Sequence, residues 1–303
     1  MDDITRILEV LKSRLGAMEA RLDEPMRRHT SFKIGGPVRA MLFPGNANEL
    51  VLLLGLLRDF GMTPLIIARG TNLLVTDKPL EMIAVNMANL SSMRLKGEWV
   101  ISADCGARLS ALAEFACSRG LSGVEFAHGI PGSVGGAVLM NAGAYGGEMK
   151  DVVLVTTAYN AYIGEFTVRR EQHDFSYRHS RFSDTGDIVV STEIGLKKGS
   201  RESIREKMDE LGARRRESQP LDLPSAGSTF KRPKDGYAAE LIEKSGLKGF
   251  AIGGAQVSEK HSGFVVNRGE ATFSDVLAVI EYVRETVLKR FCVELELEVK
   301  IIS

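Results

Sequence analysis

The chain has 303 residues, of which 44% are hydrophobic and 26% are charged, and its 39 lysines and arginines balance 39 aspartates and glutamates. These values are typical of a globular protein with two domains, and a net charge of zero excludes the basic field that attracts nucleic acid or an anionic membrane. The N-terminus carries Asp2, Asp3 and Glu9 and does not read as a signal peptide, and no apolar run is long enough to span a bilayer.

The cysteines indicate a reducing compartment. Cys105, Cys117 and Cys292 are far apart and form no C-x-x-C pair, which is typical of buried, reduced thiols in a cytosolic protein. No group of residues has the spacing of a divalent-metal site, so we expect no metal ion.

The first part of the chain predicts an α/β arrangement. An amphipathic first helix is predicted from apolar residues at helical spacing: Ile4, Ile7, Leu8, Leu11, Leu15 and Met18. Residues 38–43 and 64–68 then read as strands on either side of an apolar helix over 48–60, so we expect a β-α-β unit with a parallel pair of strands. Gly70-Thr71-Asn72 follows the second strand, where ligands often bind, but on these residues alone an ordinary turn is the favoured interpretation.

The remaining predicted elements follow the same kind of pattern. They are strands over 82–86 and 99–103, a helix over 109–118, antiparallel strands over 152–160, 165–169 and 188–196, a charged helix over 200–217, helices over 238–245 and 273–291, and strands over 256–257, 264–266 and 293–301. We place a domain boundary near residues 197–200, where charge and glycine break the strand pattern. The last strand alternates strictly, so its acidic residues, Glu298 included, are predicted to lie on a solvated face.

A glycine-rich segment over 127–148 is the most informative stretch of the sequence. Glycine permits positive φ and close approach to the main chain, and small residues leave amides uncovered that can bind a phosphate. Residues 137–140 predict a short helix whose start faces the glycines. The segment lacks the lysine of a P-loop and the spacing of a Rossmann fingerprint. A ligand loop and a tight structural turn are the two interpretations.

Two polar segments lie outside the glycines. Residues 175–182 alternate aromatic and cationic side chains, and Arg178 there is either a clamp for a carboxylate or part of a solvated basic turn. Residues 225–233 include Ser228, which has no neighbouring histidine and no G-x-S-x-G elbow. A hydrolase nucleophile is therefore poorly supported, whereas a hydroxyl that donates a proton stays possible.

Taken together, these segments resemble the UDP-N-acetylenolpyruvoylglucosamine reductase family over nearly the whole chain. Each motif is modest alone, but their joint order and spacing are specific. The motifs are Thr30-Ser31-Phe32-Lys33-Ile34-Gly35-Gly36-Pro37, Gly70-Thr71-Asn72-Leu73-Leu74-Val75, Gly129-Ile130-Pro131-Gly132-Ser133-Val134-Gly135-Gly136-Ala137, Met140-Asn141-Ala142-Gly143-Ala144-Tyr145-Gly146-Gly147-Glu148, Tyr177-Arg178-x-Ser180-x-Phe182, Ala226-Gly227-Ser228-Thr229-Phe230-Lys231-Arg232-Pro233 and Glu298-Val299-Lys300.

The resemblance implies an α+β fold. An FAD-binding domain of the vanillyl-alcohol-oxidase (PCMH) type, made of two α/β subdomains, would be followed by an α+β substrate-binding domain. We accordingly expect an N-terminal helix and entry segment over 1–28, an FAD-binding domain over 29–197 with subdomains of about 29–80 and 81–197, and a substrate-binding domain over 198–303.

The resemblance also implies a reaction. NADPH would reduce non-covalently bound FAD, and hydride from flavin N5 would convert the enolpyruvyl ether of UDP-N-acetylglucosamine to the lactyl ether of UDP-N-acetylmuramate. This is a step of peptidoglycan precursor synthesis in the bacterial cytoplasm. The partners would be these small molecules, with no nucleic acid and no membrane, and we expect a monomer or a weak dimer.

Site residues are implied by position within the matching motifs. Arg178 and Glu298 would stabilise enolate-like charge on the substrate, and Ser228 would deliver a proton to the adjacent carbon. Tyr177 and Lys231 would contact the substrate. FAD would be held by Gly70, Thr71, Asn72, Leu73, Gly129, Ile130, Pro131, Gly132, Ser133, Gly135, Gly136, Asn141, Ala142, Gly143, Ala144 and Tyr145.

The sequence departs from the family pattern in three places. Ala68 replaces the first glycine of the usual G-x-G-S-N turn, and His29 stands where asparagine is common. No long tyrosine-bearing insertion lies between Tyr177 and Ser228, which is typical of the shorter, second type of the family.

Two other functions stay open. One is a different flavin oxidoreductase of the same fold that acts on a sugar or lactone, against which the combination of Arg178, Ser228 and Glu298 argues. The other is a non-catalytic module that binds flavin or a nucleotide sugar, which would need the glycine loop but no proton donor.

Overall fold

The computed structural model describes residues 3–15, 18–234 and 236–303, which cluster into two compact units. The first unit is made of Met1–Leu22, Ala40–Arg69 and Met82–Ala213, and the second of Asp23–Arg39, Gly70–Glu81 and Arg214–Ser303. Each unit therefore takes three separate stretches of the sequence. The domain limits expected from the sequence stay a prediction.

The long helices of the described residues agree with the sequence pattern to within a residue or two, whereas α4 begins three residues before the predicted start and α5 and α6 were not predicted. Their bounds are α1 Asp3–Leu15, α2 Ala47–Asp59, α3 Leu109–Ser118, α4 Val134–Leu139, α5 Met149–Val152, α6 Arg181–Thr185, α7 Arg201–Ser218, α8 Ala238–Lys244 and α9 Phe273–Phe291. Helix α9 begins where the Thr272 side chain accepts a hydrogen bond from the Asp275 amide, and the Asp275 carboxylate accepts one from the Thr272 amide. This capping box explains why the predicted start at residue 273 is confirmed. None of the helices in the described ranges is long and apolar enough to cross a membrane.

The strands are shorter and more numerous than the sequence pattern indicates. Their bounds are β1 Glu19–Pro25, β2 Pro37–Phe43, β3 Leu65–Ile67, β4 Leu73–Val75, β5 Leu80–Asn86, β6 Met93–Leu95, β7 Val100–Asp104, β8 Leu121–Ser122, β9 Gly143–Ala144, β10 Gly147–Glu148, β11 Val153–Asn160, β12 Gly164–Arg169, β13 Ile188–Gly195, β14 Lys197–Lys198, β15 Ser225–Ser228, β16 Ala251–Ile252, β17 Ala255–Val257, β18 Phe264–Asn267 and β19 Lys300–Ile302.

The first unit contains an antiparallel sheet with the strand order β12-β11-β13-β7-β6. In this sheet Thr156 faces Val168 on one side and Thr192 on the other, so the predicted antiparallel set is confirmed. Its buried core includes side chains from α1, α2 and α3, among them Ile7, Leu57 and Leu112.

The predicted β-α-β unit is correct in its elements but wrong in its strand pairing. A second sheet has the order β1-β2-β5-β3, so β5 lies between the two strands that were expected to pair. Strand β3 instead runs parallel to β5, with Leu65 opposite Ala84. A strand from later in the chain takes the central position, which local periodicity does not reveal.

The second unit has a core of its own, which includes Phe32, Leu74, Val265 and Val283. Its sheet has the order β15-β18-β17-β16, and helix α9 contributes one row of buried side chains to the core. The predicted strand over 293–301 is wrong for most of its length. Only Lys300–Ile302 forms a strand, which pairs in parallel with β4, and Leu297 makes a single bridge to Phe230.

Candidate functional site

The glycine loop of the first unit contains a small set of backbone amides that donate no hydrogen bond within the described residues. These are called uncovered amides, whether or not the residue is exposed. The amides of Val134 and Gly135 donate to the carbonyls of Ala107 and Cys105 at 2.9 and 2.8 Å, so they serve the fold. Among the described residues, the amides of Gly129, Gly132 and Ser133 donate no hydrogen bond. Successive backbone amides without a hydrogen-bond partner can bind an anion, and Gly132 has a positive φ of 155° in this loop.

The Ser133 side chain caps the short helix that follows. It accepts a hydrogen bond from the Gly136 amide at 3.3 Å and is itself buried. Gly135 has to be a glycine, because a Cβ there would lie 2.8 Å from the Cβ of Cys105. The loop is therefore pressed against the chain at Cys105, which fixes the position of the uncovered amides.

Two arginines of the first unit accompany this loop. The backbone of Arg108 forms an isolated antiparallel β-bridge with the backbone of Ser133. The side-chain Nε atom of Arg69 is buried without a hydrogen-bond partner. Burial, followed by the positive charge of Arg108, lowers the pKa of Arg69. Neither arginine forms an ion pair with the described residues, so this part of the unit carries positive charge that is suited to an anionic ligand.

The Asn141–Glu148 segment, which includes the predicted residues Asn141 to Tyr145, continues from the loop as a wall. Asn141 and Tyr145 have φ of 43° and 54°, and Gly143 and Ala144 pair with Glu148 and Gly147 in a two-stranded ribbon. Asn141 is fully buried, with its amide nitrogen 2.8 Å from Glu148 Oε2 and 3.0 Å from the Ser176 carbonyl. Its side-chain oxygen accepts from the Lys150 amide, so all of this polar group is used within the protein.

Tyr177 and Arg178 occupy the centre of a tight turn. The Ser176 carbonyl accepts a hydrogen bond from the His179 amide at 3.3 Å, and Arg178 has φ of 55°. A turn of this shape favours glycine or asparagine at the Arg178 position, so an arginine there is a strained choice of the kind found at functional sites. The Arg178 guanidinium lies over the Tyr177 ring at 5.2 Å and reaches the Gly143 carbonyl at 3.5 Å.

The second unit brings together three segments that the sequence places far apart. Gly70 to Leu73 lead into β4, and the Asn72 side chain donates to the Glu298 carbonyl at 3.0 Å. The Glu298 amide donates in turn to the Thr229 carbonyl at 2.9 Å, next to Ser228. Among the described residues, the amides of Gly70, Thr71 and Asn72 donate no hydrogen bond, so this turn offers a second set of uncovered amides.

Ser228 and Lys231 lie on one stretch of the second unit. Ser228 is half-buried at the end of β15, and its hydroxyl makes no hydrogen bond to the described residues. Gly227 before it has φ of 77°, which accompanies an irregular register between β15 and β18. The Lys231 ammonium lies 3.3 Å from Glu296, and the Lys231 amide donates to the Glu296 carbonyl. Glu298 is half-buried, whereas Glu294 and Glu296 are exposed. The prediction that all three acidic side chains lie on a solvated face is therefore wrong for Glu298.

Sequence reasoning therefore identified the segments but missed several residues in them. Glu148, Lys150 and Ser176 contact the predicted residues without having been predicted, and so does Arg108. Glu148 ends the glycine-rich segment and could have been noticed for that reason. The other three have no signal in the sequence, because their importance comes from contacts between distant segments.

Comparison with known proteins agrees with this arrangement. A family model described as an FAD binding domain matches residues 38–166, and one described as the UDP-N-acetylenolpyruvoylglucosamine reductase C-terminal domain matches residues 219–302. The UDP-N-acetylenolpyruvoylglucosamine reductase of Caldanaerobacter subterraneus subsp. tengcongensis is 48% identical over 98% of both chains. That of Petrotoga mobilis is 45% identical over 93% of this chain and 94% of its own.

Solved structures give the same result for the fold. The UDP-N-acetylenolpyruvylglucosamine reductase of Thermus caldophilus matches with a TM-score of 0.80 and 31% identity, over 94% of this chain and 99% of the other. Alkyldihydroxyacetonephosphate synthase matches with a TM-score of 0.51 at 13% identity, over 64% of this chain and 40% of the other, which concerns the fold alone. The predicted fold class, an FAD-binding domain of the PCMH type followed by an α+β domain, is confirmed.

Proposed function

The chain belongs to the UDP-N-acetylenolpyruvoylglucosamine reductase family, and from this membership we propose that it reduces UDP-N-acetylglucosamine enolpyruvate to UDP-N-acetylmuramate with NADPH. The observation that carries the proposal is the 48% identity to a named reductase over 98% of both chains. The reaction would serve peptidoglycan precursor synthesis in the bacterial cytoplasm, and the protein would act as a monomer or a weak dimer.

The uncovered amides support FAD as the bound group. FAD contains a diphosphate, and the amides of Gly70, Thr71 and Asn72 and of Gly129, Gly132 and Ser133 are suited to anionic oxygens. Arg69 and Arg108 add positive charge beside the amides of the glycine loop. FAD, when bound, supplies the hydride that reduces the substrate. No cysteine stands within the glycine loop, which supports non-covalent binding.

Arg178 and Glu298 would act where charge develops on the substrate. Addition of hydride to the methylene carbon of the enolpyruvyl group leaves an electron pair that is delocalised onto the carboxylate. A guanidinium held on a tight turn stabilises such charge without reorganising, which is the largest contribution in many enzymes. Glu298 would also act on the substrate, as its motif implies, and its backbone is fixed by Asn72 and Thr229.

Ser228 would donate the proton that completes the reaction. Its hydroxyl makes no hydrogen bond to the described residues, so its proton is available to the substrate. A serine is a weak acid, but an enolate-like carbon is strongly basic, and a positioned donor accelerates such a transfer by about 10²–10⁴-fold. Tyr177 and Lys231 would contact the rest of the substrate, with Lys231 suited to its diphosphate.

The test separates the two half-reactions in a stopped-flow instrument. For Ser228→Ala we expect NADPH to reduce the flavin at the normal rate, whereas reoxidation by the enolpyruvyl substrate slows by about 10²-fold or more. Ser225→Ala is the matched control, because it removes a half-buried hydroxyl from the same strand. Loss of both half-reactions to the same extent in Ser228→Ala would contradict the role given to this serine.

A further inference from the structure

Asn141 stands out among the residues that the sequence assigns to FAD, because its side chain is already fully used. The amide group donates to Glu148 Oε2 at 2.8 Å and to the Ser176 carbonyl at 3.0 Å, and its oxygen accepts from the Lys150 amide at 2.9 Å. Only 1% of the residue is exposed. An asparagine side chain has two donors and one acceptor group, so little capacity is left for a cofactor.

The contact with Ser176 is the one that bears on chemistry. Ser176 is the first residue of the turn that presents Tyr177 and Arg178. Its carbonyl oxygen accepts one hydrogen bond from the Asn141 side chain and another from the His179 amide. Arg178 holds a left-handed backbone conformation in that turn, with φ of 55°. A non-glycine residue keeps such a conformation only when surrounding contacts over-determine it.

Further hydrogen bonds fix the residues that follow this turn to the end of helix α4, just before the wall. The Ser180 and Ser183 hydroxyls both donate to the Leu139 carbonyl, at 2.7 and 2.9 Å. The Arg178 guanidinium itself reaches the Gly143 carbonyl at 3.5 Å. The turn is therefore attached on both sides of Arg178, and Asn141 makes the attachment on its N-terminal side.

Glu148 gives this contact an electrostatic component. Its carboxylate accepts from Asn141 and lies 2.9 Å from the Lys150 ammonium. The hydrogen bond from Lys150 is the main cause that lowers the pKa of Glu148, and Asn141 and the charge of Arg178 act in the same direction. The carboxylate is thus ionised at neutral pH and attracts Arg178 toward the wall.

We propose that Asn141 is a positioning residue for Arg178, and that it fixes the Ser176–His179 turn to the Asn141–Glu148 wall instead of binding FAD through its side chain. This inference rests on the proposed function, in which Arg178 stabilises charge on the substrate. A catalytic group that moves by about 1 Å loses on the order of 10²-fold in rate, so a buried hydrogen bond at the base of the turn is sufficient to matter.

The test is a double-mutant cycle with Asn141→Gly and Arg178→Ala. Glycine accepts the positive φ at position 141, so the exchange deletes the three hydrogen bonds with the least backbone strain. We expect Asn141→Gly to retain FAD and its reduction by NADPH, and to slow reoxidation by the enolpyruvyl substrate by about 10–100-fold. In the Arg178→Ala background the same exchange should change reoxidation by less than about 3-fold, because residues that act as a unit are not additive.

Asn160→Ser is the matched control. Asn160 also lies in the first unit and uses its side chain for hydrogen bonds, to Asp187 and from the Tyr162 amide, but none of them reaches the Ser176–His179 turn. We expect it to lower thermal stability without changing the ratio of the two half-reactions. Asn141→Asp, which keeps the shape but replaces the donors with a carboxylate that is repelled by Glu148, is the second variant if Asn141→Gly does not fold.

The outcomes distinguish failure of the positioning role of Asn141 from failure of the proposed role of Arg178. Equal slowing by Asn141→Gly with and without Arg178, or loss of FAD, would overturn the positioning role. Normal reoxidation in Arg178→Ala alone would instead show that the role of Arg178 in the proposed function is wrong, and the positioning role would fall with it.

Discussion

The substitution Gly70→Ala, which adds one methyl group, tests whether the uncovered amides of Gly70, Thr71 and Asn72 bind FAD. The φ of Gly70 is 55°, and a Cβ at this position would lie 2.1 Å from the His29 carbonyl oxygen and 3.0 Å from Thr30 Cα. Ordinary contacts begin at 3.4 Å. In Gly70→Ala the turn must therefore move by about an ångström, and the Gly70, Thr71 and Asn72 amides move with it, which is enough to weaken a hydrogen-bonded site.

Gly61→Ala is the control that distinguishes the effect of the steric clash at Gly70 from the free-energy cost of placing alanine in a left-handed backbone conformation. Gly61 has a similar φ of 68°, but a Cβ there would meet nothing within 4 Å. A left-handed alanine costs about 1–2 kcal/mol, part of which is offset by the lower entropy of the unfolded chain. We expect Gly61→Ala to lower the free energy of unfolding by about 1 kcal/mol. Gly70→Ala should cost about 1–3 kcal/mol more, because it adds overpacking to the same backbone cost.

The assay is titration of each apoprotein with FAD, followed by flavin fluorescence, together with urea unfolding of the same samples. Gly61→Ala should bind FAD like the unaltered chain. Gly70→Ala should bind at least about tenfold more weakly, which corresponds to about 1.4 kcal/mol. If the two variants bound FAD equally well, the Gly70–Asn72 turn would not be part of the cofactor site, and the reasoning from its uncovered amides would be refuted.

Two further predictions concern groups away from the proposed chemistry. Burial raises the pKa of the Cys105 thiol to about 12 and Cys117 is also buried, whereas Cys292 is exposed, so the prediction of three buried thiols is wrong for Cys292. A thiol reagent at pH 8 should accordingly modify one cysteine in the folded protein and all three after denaturation, and rapid modification of Cys105 in the folded state would contradict its burial. Burial also lowers the pKa of His173 below its usual value, so its stabilising contribution is present above pH ~6.5 and is lost as the pH falls below that value. Unfolding free energies measured from pH 7.5 to 5 should decline less steeply in His173→Gln, and an unchanged slope would show that His173 does not cause the decline.

Local patterns in the sequence predicted the elements that are stabilised locally. Helix α3 and helix α9 have the predicted bounds. Both depend on the spacing of apolar residues close together in the sequence, and the start of α9 depends in addition on a local capping box. The hairpin of β11 and β12 was found for the same reason. The order of motifs along the chain then indicated the family, which no single motif could have done.

Contacts between distant residues account for what the sequence did not predict. The alternation over 293–301 predicted one long strand, but strand pairing is available only at Lys300–Ile302, where β4 lies alongside. The half-buried state of Glu298 follows from its contacts with Asn72 and Thr229, which alternation alone does not include. The role of Asn141 was likewise hidden, because the Ser176 carbonyl to which it donates is 35 residues away.

The parallel pairing of β4 with β19 has a consequence for how the protein is made. Asn72 and Glu298 are joined by a hydrogen bond although they lie 226 residues apart, and the Thr76 amide donates to the Ile302 carbonyl. On the ribosome, Phe32, Ile34 and Leu74 emerge early but cannot complete their core until helix α9 and Val299 have been synthesised. The nascent chain must keep this apolar surface from aggregating throughout translation. A product that stops short of β19 would lack the partner strand of β4, so premature termination would leave the Gly70–Asn72 turn without the hydrogen bonds that join Asn72 to Glu298 and Lys300.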